Sequence, residues 1–139
     1  MSGRLELERI VYCSQARRPE VALQSLAEIL AVSDRNNRRD NLTGVLLISR
    51  GRFFQVLEGA AQDLDRTMSR IRLDPRHHDV EIVSRGPARG RLFGQWGMVA
   101  ARVTPMRQAQ IDAVIDRCHE DPGAAVEAAR NLLDHQIAA

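Results

Sequence analysis

The residues of this chain with chemistry to offer are polar side chains set on apolar scaffolding. Tyr12 stands in the run Ile10-Val11-Tyr12-Cys13, and Gln55 lies between Phe53 and Leu57 at strand spacing. Ser33 and Asn37, one helical turn apart, fall on the apolar stripe of a helix, and Trp96 and Met98 share a face of an expected strand. A buried amide left unpaired costs about 1–3 kcal/mol. Gln55, Ser33 and Asn37 therefore need partners, either one another or a bound polar heterocycle. Each residue also has a plain structural role open to it. A core tyrosine reaches a backbone carbonyl, Asn37 caps a helix end, Ser33 bonds its own helix, and Trp96 with Met98 packs a core. Taken together they outline a flat slot with hydrogen-bonding edges.

The elements that must position these groups follow from periodicity. Leu5 to Ser14 alternates as a first strand. Pro19-Glu20 opens a helix whose stripe is Ala22, Leu26, Ile29, Leu30 and Ser33. Leu42 to Ser49 carries the unbroken run Val45-Leu46-Leu47-Ile48, which demands cover on both faces. Arg50-Gly51 turns the chain into Arg52 to Glu58, and Gly59 is expected to break that strand. Ala61 to Leu73 reads as a helix ended by Asp74-Pro75. Val80 to Ser84 reads as a fourth strand, Arg85 to Arg91 as a loop and Leu92 to Arg102 as a fifth strand. Thr104-Pro105 and Asp121-Pro122 open two further helices, the second with Val126, Ala129, Leu133 and Ile137 in line. The order βαββαββ predicts an α+β, ferredoxin-like sheet with two helices on one face and the two C-terminal helices covering the other. Residues 1–103 form the expected core, and 104–139 an extension packed on the sheet rather than a separate domain.

Composition excludes several classes. All 20 basic residues are arginine, which removes Schiff-base chemistry and the P-loop lysine. The 139 residues suit one domain, and a net charge of +2 implies no strong field for nucleic acid or a membrane. Met1 to Glu6 lacks the apolar run of a signal peptide, so a cytoplasmic protein with reduced cysteines is expected. Cys13 and Cys118 show no metal-ligand spacing, and no metal is expected. No GxSxG or HExxH motif is present.

Six segments carry a resemblance. They are Arg9-Ile10-Val11-Tyr12-Cys13-Ser14, Ser33-Asp34-Arg35-Asn36-Asn37, Leu42-Thr43-Gly44-Val45-Leu46-Leu47, Gly51 to Gly59, Asp74-Pro75-Arg76-His77 and Phe93-Gly94-Gln95-Trp96-Gly97-Met98. In this order, over residues 5 to 102, the chain resembles a BLUF domain, the blue-light sensor that uses flavin, of the short stand-alone type. The resemblance implies a photoreceptor, not an enzyme, with an oxidised flavin between the two helices: FAD, with FMN or riboflavin as alternatives. It implies that Tyr12 donates an electron and a proton to the excited flavin. Gln55 would bridge Tyr12 to the flavin N5/O4 edge and end rotated or tautomerised. Asn37 would hold the O4/N3 edge, and Ser33 would bond near the Trp96 or Met98 side of the slot. Asn36, Arg76 and His77 would line the ring or its O2/ribityl side, and Phe53 completes the expected binding set. Trp96 and Met98 would read the state of Gln55. Gly97 departs from the family, which often has a larger polar residue there. The expected output runs through the C-terminal helices to a separate effector protein or a homo-oligomer interface, with no membrane or nucleic-acid partner.

Two other readings compete. A ferredoxin-fold acyl-phosphate hydrolase needs an arginine in a phosphate-cradling loop, and Ser14-Gln15-Ala16-Arg17-Arg18 follows the first strand. It leaves Gln55, Trp96 and Met98 without a role. A nucleic-acid binder of similar topology would use Phe53 and Phe54, against which the low charge and scarce aromatics weigh.

Overall fold

The computed structural model describes residues 6–19, 25–101 and 104–138, with the side chains of the last helix up to Leu133. The expected strand start at Leu5, the helix start at Glu20 and Ala22, Arg102 and the Ile137 side chain lie outside the described residues. The elements are β1 (Leu7–Ala16), α1 (Leu26–Arg39), β2 (Thr43–Ser49), β3 (Arg52–Ala60), α2 (Ala61–Leu73), β4 (His77–Pro87), β5 (Val99–Ala100), α3 (Pro105–Arg117) and α4 (Pro122–Ala138). They form one sheet in the order β4-β1-β3-β2-β5, antiparallel except for the parallel β2–β5 pair.

The sheet is covered on both faces, as the run Val45 to Ile48 requires. Ile10, Tyr12, Leu46, Ile48, Phe53 and Leu57 pack with Ile29 of α1 and Leu64 and Met68 of α2. Their neighbours Val11, Cys13, Val45, Leu47, Phe54 and Val56 pack with Ile111, Val114 and Ile115 of α3 and with α4. Strict alternation sends consecutive residues of each strand into different layers. The β2–β3 hairpin turns through Arg50 and Gly51, both at positive φ (54° and 75°), as a two-residue turn matched to strand twist demands. Thr104 caps α3 by accepting the Arg107 amide at 3.2 Å, with Pro105 in the first turn.

Three expectations change. Gly59 does not end β3, which runs to Ala60; a Cβ there would lie 2.2 Å from the Leu42 side chain, so the residue is small for packing. β4 is longer than Val80 to Ser84, because β1 offers it partners along its whole length, and its Gly86 and Pro87 are tolerated on an edge strand. The fifth strand shrinks to Val99–Ala100, and residues 92–98 form turns and bends instead.

Candidate functional site

Tyr12 and Gln55 are directly opposed across β1 and β3, and Leu46 of β2 opposes Gln55 on its other side. Opposed residues of an antiparallel pair project from the same face. Both side chains therefore form the floor of a slot between α1 and α2, a cavity of about 160 Å³. Ser33, Asn36 and Asn37 line it from α1, and Thr67 and Arg70 from α2. Phe53, Arg76 and His77 also line it.

The floor is buried and its hydrogen bonds are directional. The Tyr12 hydroxyl donates to Gln55 Oε1, and Gln55 Nε2 donates to Met98 Sδ at 3.6 Å. Tyr12 and Gln55 are only 3% and 6% exposed. Burial pushes the Tyr12 phenol up, and the nearby Asp74 carboxylate adds to the shift. The phenol is thus a neutral donor at any physiological pH. Asn37 Nδ2 donates to the Gly97 carbonyl at 2.7 Å, so Asn37 ties α1 to the segment before β5. Asp34 Oδ1 accepts the Met98 amide at 3.1 Å, a second tie to the same segment. The Arg38 guanidinium holds the Asp34 carboxyl below its usual range.

His77 sits at the end of the floor. Its Nε2 faces the Ile71 carbonyl at 2.6 Å, which only accepts. The neutral ring therefore carries its proton there and accepts from the Ser14 hydroxyl on Nδ1 at 2.8 Å. Its ring meets Phe53 edge-on, with centroids 5.8 Å apart. Arg76 is held on the Asp74 carboxylate at 2.6 Å.

Trp96 and Met98 do not share a face. Met98 packs in the layer of the slot, whereas Trp96 packs against the cluster under α3 and α4. The segment is bent rather than extended, so the two-residue period that predicted a common face does not apply. Gly97 has a packing reason: a Cβ there would lie 2.6 Å from Asp34 Oδ1 and 2.7 Å from the Asp34 carbonyl. The close approach of α1 admits only glycine.

The rival sites are not assembled. Ser14 and Ala16 remain inside β1, the Ala16 amide donates to the Gly51 carbonyl, and the Arg17 amide to the Arg76 carbonyl. These amides cannot cradle a phosphate. Phe53 and Phe54 are both buried, on opposite faces, and cannot stack nucleotides.

Sequence reading missed Asp34 and Glu58. Glu58 is buried, accepting from Arg9 Nε, Thr43 Oγ1 and the Leu92 and Phe93 amides at 2.8–3.0 Å. It anchors the start of the segment that delivers Met98. The signal was available: Glu58 falls on the apolar Phe54–Val56 face, where a carboxylate must find several donors.

A ferredoxin-like sheet with a polar slot between its two helices, floored by a buried tyrosine–glutamine pair, has the placement and the hydrogen-bonding groups for a flat polar ligand. The donor set suits a flavin edge, since the amide and the phenol both donate and accept. The family model described as "BLUF: Sensors of blue-light using FAD" matches residues 7–99, and the chain belongs to this family. The alpha subunit of photoactivated adenylate cyclase from Euglena gracilis is 37% identical over 98 residues, covering 70% of this chain and 10% of that protein. The chain thus spans about a tenth of the length of the curated relatives it matches. The dark-state structure of BlrB, a BLUF protein, superposes with TM-score 0.72 at 23% identity, covering 95% of this chain and 98% of that one. BlrP1 of Klebsiella pneumoniae, solved with FMN and cyclic diGMP, gives TM-score 0.65 at 30% identity, covering 84% and 35%. The domain is a blue-light flavin photoreceptor. Among the described residues no helix is long and apolar enough to cross a membrane.

Proposed function

We propose that the slot holds the ring of an oxidised FAD and that light changes the hydrogen bonds of Gln55. The observation that carries this reading is the continuous chain Tyr12–Gln55–Met98 at the slot floor. Ser33, Asn36 and Asn37 would hold one edge of the ring, with Phe53, Arg76 and His77 toward its other end. When bound, oxidised flavin supplies an electron acceptor that blue light excites. Tyr12 gives up an electron, and its phenolic proton passes along the hydrogen bond it already makes to Gln55 Oε1. The amide carries two N–H protons, of which Met98 uses one, and the other would go from Nε2 to the acceptor that the bound flavin supplies. Return of the electron and a proton restores neutral Tyr12 and leaves the amide altered in rotamer or tautomer.

An amide turned end for end presents Oε1 to Met98 Sδ, which has no proton to donate. The Met98 contact is then lost, while the segment's ties to Asn37, Asp34 and Glu58 remain. Met98 leads into β5, whose Val99 and Ala100 pair with Val45 and Leu46, and Ala101 enters the cluster under α3 and α4. In this reading residues 104–139 form the transmitting extension of the 1–103 core. They signal in the cytoplasm to a separate effector protein or a second copy of the chain. Trp96, packed under α3 and α4, acts on the output side rather than against the ring.

The test is optical. Purified protein is yellow, its absorption moves slightly to the red under blue light, and it reverts in the dark. Released cofactor runs as FAD on chromatography. Tyr12→Phe stays yellow and loses the light-driven shift. Colourless protein that takes up no flavin overturns the binding, and a Tyr12→Phe variant that still photocycles overturns the mechanism.

A further inference from the structure

Cys13 and Cys118, 105 positions apart, meet between the sheet and the C-terminal helices with their Sγ atoms 2.6 Å apart. Both are free thiols. Bonded sulfurs lie about 2.05 Å apart, so closure asks for a movement of about half an ångström. The β1–β4 ladder shifts register between Cys13 and Gln15, and Cys118 is the C-cap of α3 rather than part of its interior.

The surroundings supply access and a proton acceptor. A cleft of about 250 Å³, lined by Cys13, Arg52, Glu81 and His119, reaches Cys13 from solvent, with Cys118 fully buried beside it. His119 Nδ1 lies 3.6 Å from Cys118 Sγ, and His119 Nε2 lies 2.9 Å from Glu81 Oε2. The carboxylate fixes the ring proton on Nε2 and leaves Nδ1 to accept the thiol proton, the order of groups that activates a nucleophile. Burial pushes both thiols up and the Arg52 charge opposes this, so the pair stays protonated and reduced until an oxidant arrives.

We propose that Cys13 and Cys118 are an oxidisable dithiol whose disulfide ties β1, one residue from Tyr12, to the end of α3. Hydrogen peroxide is small enough for the cleft. Cys13 passes its proton to the Cys118 sulfur as Cys118 gives its own to His119 Nδ1; the Cys13 thiolate attacks one peroxide oxygen, the O–O bond breaks, and the departing hydroxide takes the proton from His119 as water. Cys118, its proton held by His119, attacks the resulting sulfenic sulfur and expels hydroxide, which takes the proton from His119 as a second water. Two thiols and one peroxide thus give one disulfide and two waters, with two electrons passed to the peroxide. The crosslink closes a loop of over a hundred residues and holds α3 against the strand that carries Tyr12. Its effect on light signalling rests on the photoreceptor reading, whereas its formation does not.

The experiment treats the full flavin-loaded chain with hydrogen peroxide in the dark. Intact mass is expected to fall by two hydrogens, no thiol is alkylated after denaturation, and dithiothreitol reverses both. Tm rises by roughly 10 °C. Cys13→Ser and Cys118→Ser each abolish the mass loss and the Tm gain, and His119→Gln slows crosslinking several-fold with the same final mass. Two thiols still alkylated, oxidation to sulfinic acid without a crosslink, or a metal ion bound to both cysteines and His119 in native mass spectra would each overturn the dithiol. A crosslinked protein whose dark recovery matches the reduced protein overturns the coupling to signalling. Failure to bind flavin leaves the mass result standing, so the two readings fail separately.

Discussion

One sheet serves two layers built from opposite materials. Toward α1 and α2, β3 presents Phe53, Gln55 and Leu57, and the layer buries Tyr12, Gln55, Asn37 and Thr67 among its apolar residues. Toward α3 and α4, β3 presents Phe54 and Val56, which pack in a cluster of apolar residues and the two cysteines. A buried amide must exchange partners rather than drop them, because an unmade bond there costs about 1–3 kcal/mol. The polar layer therefore has discrete hydrogen-bonding states. The other layer keeps its hydrogen bonds at its margins, on Glu58 and between Ser49 and Asp112, while its apolar centre is close-packed and moves between packings rather than deforming smoothly. The first layer is suited to detect and the second to report.

The largest test of this division substitutes neighbours on β3. Gln55→Leu is expected to keep the yellow colour and to lose the light-driven shift entirely, while its urea midpoint stays close to wild type. Phe54→Ala, one residue away, is expected to keep the shift and lose about 3–5 kcal/mol of stability, read from urea unfolding. If Gln55→Leu still shifts, or Phe54→Ala unfolds at the wild-type midpoint, the two layers are not divided as described.

The two layers were unequally legible. Alternation along β3 placed Gln55 on the face of Phe53 and Leu57, and Tyr12 read as part of a central strand; the unbroken β1–β3 register then opposes the two. The same rule failed between Leu92 and Arg102. There the path is set by the buried Glu58 carboxylate and by Asn37 and Asp34, through bonds spanning 34 to 64 positions. Periodicity within a window cannot register such partners. Cys13 and Cys118 were unreadable for the same reason, since only the docking of α3 on the sheet brings them together. β4 was read short because its polar residues and Gly86 resemble a loop, whereas an edge strand requires only one good partner, and β1 provides it.

A smaller effect is expected where the layers meet. Met98→Leu keeps volume and costs under about 1.5 kcal/mol, but it removes the sulfur that accepts from Gln55 Nε2. The shift should persist, because Tyr12 and Gln55 are intact. Dark recovery should change several-fold, and light should no longer alter hydrogen exchange in α3 and α4. Wild-type recovery together with a wild-type exchange response in Met98→Leu would remove Met98 from the path between the layers.

The smallest effect is a pH dependence confined to the polar layer. The folded state raises the Tyr12 phenol above its ordinary value of about 10. Below that value both folded and unfolded chains hold the proton, and Tyr12 adds no pH dependence. Above it the unfolded phenol ionises while the folded one does not, so stability falls as pH rises, by at most about 1.4 kcal/mol per pH unit. The urea midpoint should therefore decline above pH ~10 more steeply in wild type than in Tyr12→Phe, a comparison that cancels the titration of Cys13 and Cys118. Tyr12 is the single tyrosine and every basic residue is arginine, so tyrosinate absorbance reports this one group without lysine titrating alongside. Tyrosinate that appears in the folded protein at the ordinary value would show that the slot floor is wet, and the contrast between a dry polar layer and a dry apolar one would fail.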